Sequence, residues 1–361
     1  MLLKMKNKIS QFLVIFACLI NFGFTYASSF TILDGLRIKG DTAVISIKTS
    51  DENAIYLRLN YDERNQIFLY SNFTKTPFTQ SHSDEDLKRS IFLAADTSHI
   101  VSKSLVIVAA DIQGVWWLYQ LKARPPFRIV KRVLLPNINS IKSVQEIGRR
   151  IYVGGSTTKN EPILFSVNLG KSDEAKKIVE IKSAGSIYNI IDIVNSKLLL
   201  TVNYSNRTSE LLGTDLNGKI QIKVALAGGA STAALSGSDN VFNITRVENS
   251  YYGTFRNKNL EIVWQKKIFD LQGVSSEIFN VDCDSAKCFI TGINNNKIIV
   301  AEIILIDRKI NMHQYPSTSN IVGYERLHSV LIGDVLYIRG SYRLENDLMN
   351  NFTTHFLAKV D

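Results

Sequence analysis

Short apolar runs alternate with polar turns along this chain. Each run is too short for a helix and is rich in β-branched and aromatic residues, which suit a pleated strand. The clearest copy begins at Ser143-Val144-Gln145-Glu146-Ile147, turns at Gly148-Arg149 and continues as Ile151-Tyr152-Val153-Gly154-Gly155. A polar loop from Ser156 to Glu161 leads to Ile163-Leu164-Phe165-Ser166-Val167. Asn168-Leu169-Gly170 turns the chain again before Ile178-Val179-Glu180-Ile181. Gly, Asn, Asp and Ser bound every run, as hairpins require.

The first turn recurs near positions 40, 102, 148, 195, 249, 285 and 333. The run after it is Ala43–Ser46, Leu105–Val108, Ile151–Val153, Leu198–Leu200, Tyr251–Gly253, Cys288–Ile290 and Leu336–Ile338 in turn. From 40 to 333 is 293 residues in six steps, a mean of about 49, within reach of a four-stranded propeller blade. The pattern predicts an all-β, seven-bladed β-propeller. Six blades is the alternative, because the step from 249 to 285 is short and blade five has room for only three strands by this register. The step from 40 to 102 is long, which places an insert at Thr74–Arg89. The last copy stops at Asp361 without an outer strand, while Ser29–Leu33 lies ahead of the first complete blade without a partner. The N-terminal run is therefore expected to supply that strand and close the ring, leaving no long edge at the seam.

The first residues carry a different pattern. Lys4, Lys6 and Lys8 precede an apolar stretch, Phe12–Ile20, that is shorter than the ~20 residues of a membrane span. Thr25-Tyr26-Ala27 then offers small residues at a cleavage site. The expectation is a signal peptide over 1–27, cut after Ala27, and a propeller over 28–361 that is periplasmic or secreted, with no transmembrane segment. Ile15-Phe16-Ala17-Cys18 resembles a lipoprotein box only loosely, with bulky Phe16 and apolar flanks, so lipidation at Cys18 is the weaker reading. Of the three cysteines, Cys283 and Cys288 survive processing and flank the turn Asp284–Lys287. In an oxidising compartment they are expected to form a hairpin disulfide.

The formal charge is +9, and removal of the leader leaves +6. Residues 122–150 alone carry +7, from Lys122, Arg124, Arg128, Lys131, Arg132, Lys142, Arg149 and Arg150 against Glu146. Lys122, Arg124, Arg149 and Arg150 flank turns that share one propeller face, so a basic patch is expected there. An anionic partner would use it: acidic lipid headgroups, an envelope glycan or an acidic protein surface. The competing reading is edge protection, since Arg128, Lys131 and Arg132 fall on an outer strand. No nucleic-acid motif accompanies the charge.

No nucleophile elbow, zinc-binding helix motif, Walker loop or dinucleotide fingerprint is present. His82 stands beside Asp84, Glu85 and Asp86, a cluster that reads as a solvated loop. Gly228-Gly229-Ala230-Ser231 reads as a connection between blades four and five. Asp282 and Asp284 lack the further ligands of a calcium loop. No catalytic residue, cofactor or metal is assigned. Adjacent Trp116 and Trp117 must point to opposite faces of a strand, so one is expected to pack between blades.

Asp111-x-x-Gly114-x-Trp116, Asp215-x-x-Gly218 and the closing Phe356-Leu357-Ala358-Lys359-Val360-Asp361 resemble repeats of the quinoprotein-like and WD40-like propellers of exported bacterial proteins. The resemblance implies the fold. The regular Ala-Asp-Gly-Trp spacing that accompanies quinone binding is missing from most copies. Some relatives of this shape are envelope assembly scaffolds, which the resemblance carries over as a role. The leading expectation is thus a non-enzymatic binding or scaffold protein that recognises a protein or envelope component through propeller loops. Tyr204, Arg207, Tyr342 and Arg343 are the candidate contacts, because Tyr and Arg anchor interfaces. The insert 74–89, the run 226–238 and the loop 341–351 are expected on the same face. A hydrolase or lyase with its site in the central funnel is the alternative.

Overall fold

In the computed structural model the chain is an all-β propeller. The structure describes residues 30–360 apart from a set of linking segments, of which 82–98 is the longest. For the strands before residue 104 it describes the backbone alone. The expected leader over 1–27 and the His82 cluster lie outside the described residues.

Among the described residues the strands form seven four-stranded antiparallel sheets. The chain opens with β1 (Phe30–Lys39). The first sheet is β2 (Thr42–Lys48), β3 (Ala54–Asn60), β4 (Gln66–Ser71) and β5 (Phe78–Ser81). The second is β6 (His99–Val101), β7 (Ser104–Ala110), β8 (Trp116–Lys122) and β9 (Ile129–Leu135). The third is β10 (Ile138–Ile147), β11 (Arg150–Thr157), β12 (Pro162–Val167) and β13 (Ala175–Glu180). The fourth is β14 (Gly185–Ile193), β15 (Lys197–Tyr204), β16 (Thr208–Asp215) and β17 (Ile220–Ala227). The fifth is β18 (Ala230–Ala234), β19 (Val241–Val247), β20 (Ser250–Arg256) and β21 (Ile262–Asp270). The sixth is β22 (Glu277–Cys283), β23 (Lys287–Asn294), β24 (Lys297–Ile304) and β25 (Lys309–Tyr315). The seventh is β26 (Ile321–Ile332), β27 (Val335–Leu344) and β28 (Phe352–Val360), with β1 as its fourth strand, antiparallel to β28.

The first strands of successive sheets neighbour one another, from β2 against β6 through to β22 against β26. The third to sixth sheets are therefore buried on both faces. In β11, Ile151 and Val153 join Val106, Val108 and Trp116 of the second sheet, whereas Tyr152 between them joins Ile187, Leu198 and Leu200 of the fourth. In β23, Cys288 and Ile290 face Phe242 and Trp264 of the fifth sheet, and Phe289 faces Leu336 and Ile338 of the seventh. Alternate side chains point to opposite faces, so a strand buried twice reads as a continuous apolar run.

Polar groups bridge these interfaces near the axis. The strands β10, β14 and β22 break register at Lys142, Tyr188 and Phe279, and β10 breaks also at Asn139; such a bulge re-aims the side chain beside it. Ser143, next after the first of these, accepts the Ile190 N–H of the neighbouring fourth sheet at 3.1 Å. Asn280, next after the third, donates to the Ser329 carbonyl of the seventh sheet at 2.7 Å, and the Ser329 hydroxyl donates to Asp282 at 2.7 Å.

Two of the seven landmark turns move. Position 40 lies in the link from β1 to β2, so Ala43–Ser46 is a first strand, and position 249 joins the second and third strands of the fifth sheet. That sheet has four strands, not three. Its first strand, Ala230–Ala234, is Ala, Ser and Thr alone, which hides it from a search for branched and aromatic runs. With the first links placed at 49–53 and 235–240, the midpoints 51 and 333 are 282 residues and six steps apart, a mean of 47.

Close approach of backbones yields a paired test. A Cβ on Gly155 would lie 1.9 Å from the Ser140 carbonyl oxygen, while one on Gly229 would meet nothing within 4 Å. Gly155→Ala is expected to cost about 2 kcal/mol or more and lower the thermal midpoint by several degrees. Gly229→Ala should leave the midpoint within about a degree by the same scaling, as read by calorimetry on the two variants.

Candidate interaction face

The links between second and third strands and the links between sheets share one end of the sheets. On the third to fifth sheets these links are stitched together. The Thr158 N–H donates to the Asn137 carbonyl, the Gly185 N–H to the Asn160 carbonyl, and the Ser205 N–H to the Ala184 carbonyl. The Asn160 amide donates to the Ser205 hydroxyl at 3.2 Å. Asn203 acts as a piece of backbone, donating to the Ala230 carbonyl at 3.3 Å and accepting the Ala230 N–H at 3.1 Å. The Ser209 hydroxyl donates to the Gly228 carbonyl. Asn160, Arg207 and Glu248, one in each of three hairpins, hold positive φ of 59°, 65° and 51°, the left-handed region that tightens such turns.

Charge adds to the stitching. Lys182, in the link after β13, bridges Glu180 and Glu161 at 2.8 and 3.2 Å. Hydrogen bonds from Lys177 and then Lys182 lower the Glu180 carboxyl from its ordinary value to about 2.

The candidate contacts divide. Arg207 stands exposed at the apex of its hairpin, and Asn206 caps the turn by accepting the Thr208 N–H at 3.1 Å. Tyr204 is half-buried and donates its hydroxyl to Glu210 at 2.6 Å; burial and then that carboxylate raise its pKa. Its hydroxyl is thus held by its own sheet. Tyr342 packs edge-on against Tyr324, with ring centroids 6.1 Å apart, and Arg343 is the next residue on β27. Tyr204 and Arg207 lie on the fourth sheet, Tyr342 and Arg343 on the seventh.

The segments assigned to this face need correction. The insert 74–89 contains β5, the fourth strand of the first sheet, so its two ends belong to opposite ends of that sheet. In the run 226–238 only Gly228 and Gly229 form the connection; Ala230–Ala234 is β18. The two Asp-x-x-Gly turns also differ in place. Asp111–Val115 joins the second and third strands of its sheet, and 216–219 joins the third and fourth.

At the opposite end, Arg150 is the one member of the basic patch whose side chain is described. It reaches the next sheet's turn, donating to the Leu216 carbonyl and the Asn217 side chain, both at 3.4 Å. Lys131 of β9 donates to the Leu169 carbonyl at 2.9 Å, and Arg132 lies over the Trp117 ring, 5.0 Å from its centroid. Trp116 is buried between the second and third sheets and donates to the Asn139 carbonyl at 3.2 Å. The side chains of Lys122, Arg124 and Arg149 lie outside the described set. Cys283 and Cys288 pair in register and form a disulfide across the β22–β23 hairpin, with Cα atoms 4.1 Å apart. Asp284 caps that turn by accepting the Ala286 and Lys287 N–H groups at 2.7 and 2.8 Å.

One residue that sequence reasoning passed over is Arg256. It is 5% exposed, donates to Asn243 at 2.8 Å and to the Leu260 carbonyl at 2.7 Å, and burial lowers its pKa. It pins the turn before β21 from within, a role without a sequence signature.

No protein-family model matches the chain, and no curated protein matches it. Solved structures do. The Dos1 propeller aligns with a TM-score of 0.56 at 10% identity, over 86% of this chain and 81% of that one. The WD40 domain of Toxoplasma gondii coronin aligns at 0.52 and 9% identity, over 92% and 88%. The dihydro-heme d1 dehydrogenase NirN aligns at 0.51 and 11% identity, over 76% and 58%. At these identities the likeness is one of fold alone.

This geometry can be tested in two ways. By NMR, the Glu180 carboxyl should titrate near pH 2, and Lys177→Gln with Lys182→Gln should return it toward its ordinary value. Its contribution to stability is present above the unfolded carboxyl pKa and is lost as pH falls toward 2. The disulfide closes a short loop, so its removal by Cys283→Ala with Cys288→Ala should cost about 2 kcal/mol without loss of the fold, measured by denaturant unfolding.

Proposed function

We propose that the chain is an exported, non-enzymatic binding or scaffold protein that recognises a protein or envelope component through the stitched loop face. The observation that carries this reading is the stitching itself. Hydrogen bonds between successive links fix the loops before any partner arrives, which lowers the ordering cost of binding. Arg207 projects from that fixed frame, its N–H donating to the Tyr204 carbonyl at 3.1 Å; Tyr342 and Arg343 offer a second anchor pair on the seventh sheet. The disulfide suits an oxidising compartment, and among the described residues no helix is long and apolar enough to cross a membrane. In this reading residues 1–27 are a leader removed after Ala27. Residues 28–361 are one seven-bladed ring, and its seam is clasped by β1. Support for the clasp comes from the β1–β28 pairing, which runs from Phe30 opposite Val360 to Lys39 opposite Phe352.

Affinity capture from the envelope fraction of its own cells tests the face. Arg207→Ala with Arg343→Ala is expected to lose a partner that Arg150→Ala retains, and the reverse pattern would move binding to the other end. A small molecule retained in native mass spectrometry would instead favour a funnel site. For the clasp, deletion of residues 28–39 should lower the melting temperature of the whole propeller; an unchanged midpoint would refute it.

A further inference from the structure

Buried polar side chains gather where the fifth sheet meets the fourth. Val241 of β19 packs there with Leu199 and Leu211 of the fourth sheet and with Leu260 from the turn before β21. Asn243, two residues along β19, lies on the same face as Val241. On β20, Arg256 stands opposite Val241 and Thr254 opposite Asn243, with no break in register. Directly opposed residues share a face, so Asn243, Thr254 and Arg256 all turn toward the fourth sheet. Asn243 and Thr254 are fully buried, and Arg256 is nearly so.

What these groups have left over is donors. The Arg256 guanidinium stays protonated. Two of its N–H groups are used, on the Asn243 Oδ1 at 2.8 Å and the Leu260 carbonyl at 2.7 Å. The first bond fixes the Asn243 amide, because a flip would set N–H against N–H. Its Nδ2 is then left buried with no partner. Thr254 accepts the Gln265 amide at 3.1 Å, which leaves its own O–H to give. No carboxylate among the described residues pairs with Arg256. Asp239, ahead of β19, makes no ion pair with it and leaves its Oδ1 without a partner. A buried charge is costly unless paired, and a buried donor unless bonded.

We infer that a small monovalent anion of the halide class occupies this interface, held by the Asn243 Nδ2, the Thr254 hydroxyl and the remaining N–H groups of Arg256. The groups left over are donors, so a cation finds no ligand among them. A water would satisfy the amide but leave the guanidinium without a counter-charge. One guanidinium matches one negative charge. The full burial of Asn243 and Thr254 leaves no opening for an organic carboxylate or a phosphate ester. The bound ion would tie β19 and β20 to the turn before β21 and let a cation stand between two sheets.

The purified full-length protein, dialysed exhaustively into sodium gluconate, tests the inference. With ionic strength held constant by gluconate, added chloride or bromide should raise the thermal midpoint by about 2–4 °C and then saturate. Crystals grown in bromide should show anomalous density within hydrogen-bond reach of the Asn243 Nδ2 and the Thr254 hydroxyl. Asn243→Asp keeps the acceptor for Arg256 and brings the negative charge itself, so this variant should fold and lose the halide response. Thr254→Val should weaken the halide affinity about tenfold. Arg207→Ala, outside this interface, should respond as the parent does. Three results would overturn the inference: a midpoint indifferent to halide, a water or the Asp239 carboxylate where the bromide is expected, or an Asn243→Asp variant with the full halide response.

Discussion

The constraint on which this molecule depends is that the central strands of each sheet must be apolar on both faces. A sheet with one apolar face needs a single cover; here Ile151 and Tyr152, adjacent in sequence, lie in the cores of two different interfaces. Each buried branched or aromatic side chain contributes about 1.5–3 kcal/mol, but only if the neighbouring sheet is present. Stability is therefore a property of sheet pairs and passes along the array. Loss of one of these sheets would expose two faces, not one. The β1–β28 pairing adds a long-range tie, because it joins the first described strand to the last in one sheet.

This constraint also decides what the sequence could reveal. Doubly buried strands such as Leu198–Leu200 and Cys288–Ile290 are conspicuous because every position is apolar. Sheet periodicity, hairpin turns and the Cys283–Cys288 pairing were legible for the same reason. The register failed where that rule lapses. Ala230–Ala234 is a first strand of small residues, fastened by the Asn203 side chain bonding both backbone groups of Ala230. A side chain that imitates a neighbouring strand leaves no periodic mark. Gly40-Asp41 misled in the opposite way, since it resembles a hairpin turn although β1 pairs with a strand at the far end of the chain.

The candidate site was legible only as residue types. Tyr and Arg near loops are common, and spacing cannot tell a free hydroxyl from one held by Glu210. Nor could it foresee that Asn160, Ser205 and Asn203 join separate loops into one frame. Those contacts link residues of different sheets, and the pairing information resides in the packing of sheets and not in any segment.

The polar groups nearest the axis bear on the choice between a binding surface and a funnel enzyme. A catalytic funnel needs convergent groups that are available to a substrate. Ser143 instead accepts a backbone N–H of the next sheet, and Asn280, Asp282 and Ser329 satisfy one another across the sixth and seventh sheets. Ser143 and Asn280 each follow a register break of their first strand, so these two bulges aim a polar group at a neighbouring sheet. A polar group so engaged is costly to redirect, because leaving its partner buried and unpaired forfeits about 1–3 kcal/mol. These described side chains of the inner strands thus brace neighbouring sheets against one another.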